Sequence, residues 1–269
     1  MNIGLKKEIT LALICIVLLI FLNYNYLDSE LENFLTDTET KNVEVKRVID
    51  GDTLVYETNN SKEMPVRLLG INTPERGEEY YNEAKEFLKN RVLNESVKLV
   101  YGEEKTDRYG RELAYIFYKK ENVNLEIIKE GLGNYYFPSG KNKHYNSFVN
   151  AWKGCLEKEK NMCKYSDEEF AECIELENID KWEQEVIFYN SCDIDCNLTG
   201  WSIKDEGRKK FVFQDIVLEP QEEIFIVAGE KENKEDILYW KEDYIWTASG
   251  DTLFLRDKRE KLVLWEIIK

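Results

Sequence analysis

An extended run of alternating apolar and polar residues, Val43–Ile49, stops at Asp50-Gly51, and Thr53–Glu57 answers it as a second extended run. Asp-Gly between two such runs is a strong hairpin signal, because both residues tolerate the left-handed backbone of a tight turn. The pattern commits this part of the chain to antiparallel β structure. Two later stretches have the same look of strand ends and turns. They are Arg67-Leu68-Leu69-Gly70-Ile71-Asn72-Thr73-Pro74-Glu75 and Thr106-Asp107-Arg108-Tyr109-Gly110-Arg111. Taken singly, each is an ordinary turn. Taken together, they supply a carboxylate turn, a carboxylate base and two arginines.

That inventory suits hydrolysis of a phosphodiester around a hard metal ion. Asp50 and Asp52 project from one turn, and a hard cation with oxygen ligands accepts such a pair. Asn72 and Thr73 add a carboxamide oxygen, a hydroxyl and backbone carbonyls, and Pro74 stiffens the exit from their loop. Glu75 lies just beyond, placed to accept a proton from a water at the metal. Arg67 interrupts an apolar strand, which alone describes many surface residues. With Arg111 it offers fixed, planar positive charge for phosphate oxygens. His144 is the only histidine and reads as a loop residue, which excludes histidine-based hydrolysis.

Further strands are expected at Pro65–Ile71, Ser96–Tyr101 and Leu113–Tyr118. Helical spacing predicts helices at Glu79–Leu93, at Asn124–Glu130 closed by Gly131, and at Tyr145–Lys160. From Cys173 onward the pattern changes to short strands with turn residues between them. These are Ile174–Glu177, Glu185–Tyr189, Gly200–Lys204, Lys210–Phe213, Glu223–Ala228, Thr252–Arg256 and Lys261–Trp265. Strands without intervening helices predict an all-β sandwich, with a boundary near Lys164–Glu169.

The net charge of −16 looks wrong for a protein that handles nucleic acid, so its distribution matters. Residues 44–160 hold 20 Lys/Arg and 20 Asp/Glu, whereas residues 161–269 hold 14 against 27, a balance of −13. The acidic half is the poorer candidate for gripping phosphates. At the N-terminus, Lys6 and Lys7 precede an apolar run from Ile9 to Leu22, which as a helix spans roughly 21 Å. With Tyr24 and Tyr26 at its end and no small-residue cleavage site, residues 1–27 read as an uncleaved signal anchor. The flanking lysines put the remainder outside the cytoplasm, a single-pass membrane protein, or a secreted one if the segment is cleaved. Residues 28–42 read as an acidic linker. Outside the cytoplasm, Cys155, Cys163, Cys173, Cys192 and Cys196 are expected to pair. Cys155 with Cys163, and Cys173 with Cys192 or Cys196, are local options. The spacings match no tight zinc knuckle.

Residues 44–162 resemble the staphylococcal nuclease (thermonuclease) family. The resemblance rests on Ile49-Asp50-Gly51-Asp52-Thr53, Arg67-Leu68-Leu69, Thr73-Pro74-Glu75, Thr106–Arg111, Leu113-Ala114-Tyr115-Ile116 and the segment from Val123-Asn124 to Gly131-Leu132. It implies a five-stranded OB-fold barrel with helices over 43–165, and calcium-dependent cleavage of the 5′ P–O bond of DNA or RNA to 3′-phosphate ends. It further implies that Asp52 and the Thr73 carbonyl bind calcium, with Asp50 and Asn72 beside them, and that Glu75 is the general base. Arg67 and Arg111 are implied to stabilise the transition state, and Tyr109, Arg108 and Tyr136 to contact nucleic acid. Family members carry aspartate where this chain has Asn72, so weaker calcium binding or another metal preference is expected.

The C-terminal part resembles a lamin-tail domain through Leu198–Asp205, Phe211–Phe213, Leu218-Glu219-Pro220, Trp246, Gly250–Leu255 and Asp257. This implies an immunoglobulin-like sandwich over 170–269, serving as an adaptor for a protein or surface ligand, with Trp201 and Trp246 as core. The expected whole is mostly β with helices, membrane-anchored and a nuclease. The alternative is a nucleic-acid-binding or tethering protein whose barrel and sandwich act as binding modules.

Overall fold

The computed structural model describes residues 39–269; the expected membrane anchor, residues 1–27, and most of the acidic linker lie outside them. Among the described residues no helix is long and apolar enough to cross a membrane. The N-terminal part contains strands β1 (Thr40–Asp50), β2 (Thr53–Glu57), β3 (Glu63–Leu68), β4 (Ile71–Asn72), β5 (Ser96–Thr106), β6 (Glu112–Tyr118), β7 (Glu121–Asn122) and β8 (Asn134–Tyr135). β1 and β2 form the expected hairpin, with Asp50 opposite Thr53 across a two-residue loop. β3, β2, β1, β5 and β6 follow in that order, and a parallel pairing of β3 with β6 closes the ring. The result is a five-stranded closed barrel of the OB type.

Helices cover this barrel. Helix Tyr81–Val92 buries Ala84, Leu88 and Val92, a one-face i, i+4, i+8 stripe. Helix Val123–Lys129 starts where the Asn122 side chain accepts the Leu125 N–H, at 3.2 Å, and ends at Gly131. Gly131 has φ of +64°, and a Cβ there would lie 2.2 Å from the Lys160 carbonyl oxygen. Helix Tyr145–Leu156 buries Phe148 and Trp152. The expected strand Pro65–Ile71 is instead split in two, because Gly70 takes a left-handed φ of +75° between β3 and β4.

The C-terminal part contains β9 (Ile174–Asp180), β10 (Glu185–Asn190), β11 (Cys196–Asn197), β12 (Ser202–Lys204), β13 (Lys210–Val212), β14 (Val217–Leu218), β15 (Glu223–Ala228), β16 (Ile237–Trp240), β17 (Asp251–Arg256) and β18 (Leu262–Ile268). They form one sheet in the order β16-β15-β10-β9, another in the order β13-β12-β17-β18, and a small β11-β14 pair. Three strands were not anticipated from the sequence: the two-residue β11 and β14, too short to show a period, and β16, which runs parallel to β15. Trp201, Trp246, Phe188 and Ile226 sit in the core between the sheets.

β17 joins the two halves. All its residues are buried. Leu253 and Leu255 enter the C-terminal core, whereas Phe254, between them, belongs to the barrel core with Leu262 of β18. The period of two along a strand sends successive side chains to opposite faces, so here each face finds its own hydrophobic interior. The Phe254 ring meets Trp152 edge-on at 5.3 Å and Tyr135 at 6.2 Å. The Arg256 guanidinium, also buried, donates to the Met162 carbonyl at 2.8 Å. Cys155 is disulfide-bonded to Cys163, and Cys173 to Cys192, leaving Cys196 buried as a free thiol. The first disulfide staples the end of helix Tyr145–Leu156 to the segment where the chain leaves the barrel.

Candidate active site

The β1–β2 turn sets the first residues of the site. A Cβ on Gly51 would lie 2.6 Å from the Ala84 Cβ, so glycine is required where the turn presses on helix Tyr81–Val92. Register then pairs Thr53 with Arg67, and the Leu68 N–H donates to the Asp52 carbonyl at 2.8 Å. Asp52 is thereby buried against Arg67, with Oδ2 3.0 Å from Nη2. The same carboxylate accepts the Thr73 N–H at 3.2 Å and the Thr53 hydroxyl at 3.0 Å. Asp50 Oδ1 accepts the Asp52 N–H at 3.1 Å. Burial, then the charge of Asp52, pushes the Asp50 carboxyl up to about 6. Arg67 is fixed further by donating to the Leu68 and Ile71 carbonyls at 2.6 and 2.9 Å.

Asp50, Asp52, Arg67, Asn72 and Thr73 are therefore brought together. Among the described residues, no group of three or more Asp, Glu, His or Cys side chains is placed to hold a metal. The donors here are two carboxylates with neutral amide and carbonyl oxygens. Asp50 and Asp52 lie side by side on one turn, and an oxygen-only set of this kind fits a hard divalent cation.

Glu75 is exposed; its N–H donates to Glu78 at 2.7 Å. Arg111 immediately precedes β6, whose residue Leu113 pairs with Arg67, but its guanidinium is tied to Asp107 at 2.7 Å. Burial pushes the Asp107 carboxyl up, and its hydrogen bonds from Arg111 and Tyr109 outweigh this and hold it below its ordinary value. Tyr109 is 69% exposed, with the Arg108 guanidinium 4.9 Å from its ring. Arg108 and Tyr109 are thus exposed on this basic turn, and Arg111 is half-buried at its end. His144 packs against the Tyr115 ring at a tilt of 49°, and burial, then Lys143, lowers it to about 4, so it is neutral at pH 7.

The sequence reading missed a contribution from the far half of the chain. β4 and β8 pair Asn72 with Asn134, and both carboxamides reach across to the turn between β12 and β13. Asn72 Nδ2 donates to the Gly207 carbonyl at 2.7 Å, and Asn134 Nδ2 to the Glu206 carbonyl at 2.8 Å. The Glu206 carboxylate accepts the Phe137 N–H at 3.2 Å and the Thr252 hydroxyl at 2.8 Å. Burial pushes both Asp205 and Glu206 up to about 7, Asp251 adding to each, so this turn docks without the full cost of burying two charges. Tyr136 is half-buried beside it. Arg208 follows, its Nη2 2.5 Å from Glu75 Oε1.

Residues 65–164 match the family described as staphylococcal nuclease homologue, and residues 165–266 match the lamin tail domain. A thermonuclease of Staphylococcus intermedius is 33% identical over 166 residues, 59% of this chain and 98% of that protein. The chain belongs to the staphylococcal nuclease family. A thermonuclease of Staphylococcus hyicus is 32% identical over 58% of the chain and 98% of its own length. An uncharacterized endonuclease of Haemophilus influenzae is 36% identical over 94 residues, 35% of the chain and 52% of that protein. This staphylococcal nuclease homologue is thus followed by a lamin-tail domain whose β12–β13 turn reaches the nuclease loops.

The carboxamide at Asn72 has a structural reason: it must donate to Gly207, and a carboxylate has no hydrogen to give. Asn72→Asp is expected to destabilise the chain by about 1–3 kcal/mol, while the added charge tightens calcium binding. Thermal melts and calcium titrations should move in opposite senses; an unchanged melting temperature would count against the hydrogen bond.

Proposed function

We propose that the chain is a calcium-dependent nuclease, anchored in the membrane with both domains outside the cytoplasm. The observation that carries this reading is the buried pairing of Arg67 with Asp52, beside Asp50 and the Thr73 backbone. It sets a cation site and a phosphate-binding guanidinium side by side. Asp50, Asp52, the Thr73 carbonyl and the Asn72 carboxamide oxygen are the groups that would hold such an ion. Bound there, calcium supplies positive charge to the phosphate and acidifies the attacking water.

Glu75 takes the proton of that water as its oxygen attacks phosphorus. Arg67, held by carbonyls so that its fork does not rotate, faces the charge that builds on the equatorial oxygens. The 5′ P–O bond then breaks, leaving a 3′-phosphate and a 5′-oxygen that is protonated as it departs. Arg111 serves the leaving oxygen by exchanging Asp107 for it, and the exposed Tyr109 and Arg108 line the path of the strand. The C-terminal sheets are read as an immunoglobulin-like sandwich, supported by two four-stranded sheets around one core.

The test is digestion of a labelled single-stranded oligonucleotide by the full chain, in millimolar calcium and in chelator. Cleavage to 3′-phosphates is expected in calcium alone, and Glu75→Gln is expected to slow it about 10²–10⁴-fold. Activity in cells is expected in the carbonate-resistant membrane fraction; activity only in the medium would refute the anchor. An oligonucleotide bound but left intact would favour the barrel as a binding module.

A further inference from the structure

We propose that the lamin-tail domain takes part in nucleic-acid recognition, through Arg208, which binds a substrate phosphate next to the scissile one. The inference rests on the nuclease reading of the same site. The acidic balance of the C-terminal half conceals a basic triplet, Arg208-Lys209-Lys210. Its members are not equivalent. Lys209 donates to the Tyr244 carbonyl at 2.8 Å, and Lys210 pairs with Glu260 at 2.7 Å, so both are used inside their own domain. Arg208 alone turns toward the nuclease loop, onto Glu75.

Position and freedom both suit a phosphate contact. The backbone just before Arg208 is pinned to the barrel by hydrogen bonds from Asn72 and Asn134 to the Gly207 and Glu206 carbonyls, which fixes the reach of the side chain. The side chain itself is 60% exposed, and Glu75 is its only ion-pair partner among the described residues. Arg67 and Arg111, which serve the scissile phosphate, pair with carboxylates of the barrel, Asp52 and Asp107, so Arg208 is the basic group that the second domain adds. A guanidinium fork matches a carboxylate and a phosphodiester alike. Arg208 therefore rests on Glu75 in the free protein and transfers to phosphate when a strand enters, releasing Glu75 to accept its proton.

The test uses the full chain and a fluorescein-labelled single-stranded oligonucleotide. Binding is measured in chelator, where no turnover intervenes, at several salt concentrations, and cleavage is measured separately in calcium. Arg208→Ala is expected to weaken binding about 5- to 10-fold and to flatten the salt slope by about 0.7, the share of one phosphate contact on a single strand. KM should rise by a similar factor with kcat within about threefold of wild type. Arg208→Lys should keep the salt slope and recover part of the affinity. Affinity and salt slope unchanged in Arg208→Ala would overturn the proposal. A rise in kcat with unchanged affinity would also overturn it, and would show instead that Arg208 restrains Glu75. Failure of the nuclease reading looks different: the wild type would cleave nothing in calcium, whatever Arg208→Ala did to binding.

Discussion

Cutting the chain after Lys164 is expected to yield a nuclease barrel that melts about 15 °C below the full chain, or one that aggregates. The family boundary falls there, so the cut looks benign. The core says otherwise. Phe254 and Leu262 lie beyond the cut, yet both are buried in the barrel cluster. Burying a side chain of this size contributes about 1.5–3 kcal/mol, and each aromatic pair, such as Phe254 with Trp152, adds about 0.5–1.5 kcal/mol. Losing them is a cost of about 4 kcal/mol or more, and each kcal/mol shifts the melting temperature of a domain this size by roughly 4 °C. The exposed ends of Trp152 and Tyr135 would form an apolar patch with no cover. Melting of residues 39–164 against residues 39–269 decides the matter; agreement within about 3 °C would mean that the shared core adds no stability.

Replacing Arg67 by alanine is expected to damage stability and activity together. Asp52 is 3% exposed, and removing its guanidinium leaves a buried carboxylate facing nothing of opposite sign. Breaking one partner of such a pair costs about 3–5 kcal/mol. The Leu68 and Ile71 carbonyls lose their donors as well. Cleavage should fall about 10²–10³-fold, the usual loss when a preorganised charge at the transition state is deleted. Calcium should then raise the melting temperature of Arg67→Ala more than that of the wild type, because the ion supplies the charge Asp52 has lost. Equal calcium shifts in the two proteins would argue against a cation next to Asp52. Arg67→Lys should remain nearly as inactive, since one ammonium does not span Asp52 and two carbonyls in a plane.

Much of the barrel is legible in local chemistry. Asp50-Gly51 is a turn whatever surrounds it, and helix Tyr81–Val92 follows its apolar stripe. Asp52 and Arg67 are each readable as site residues, but their direct pairing emerges only once the β2–β3 register sets Thr53 opposite Arg67. What escapes is information that belongs to neither segment alone. Phe254 alternates like any strand residue, and nothing nearby in sequence says that its face meets the barrel rather than solvent. Arg208 is hidden by averaging, since a balance of −13 over 161–269 describes the domain and not the one turn that matters. Asn72 looks like a weakened metal ligand until its acceptor on the other domain is seen.

That last contact separates Asn72 from Gly207 by 135 positions in the chain and by nothing in space. The nuclease loop thus draws one of its hydrogen bonds from the C-terminal domain, and exchanging that domain for another would leave the Asn72 carboxamide without its acceptor.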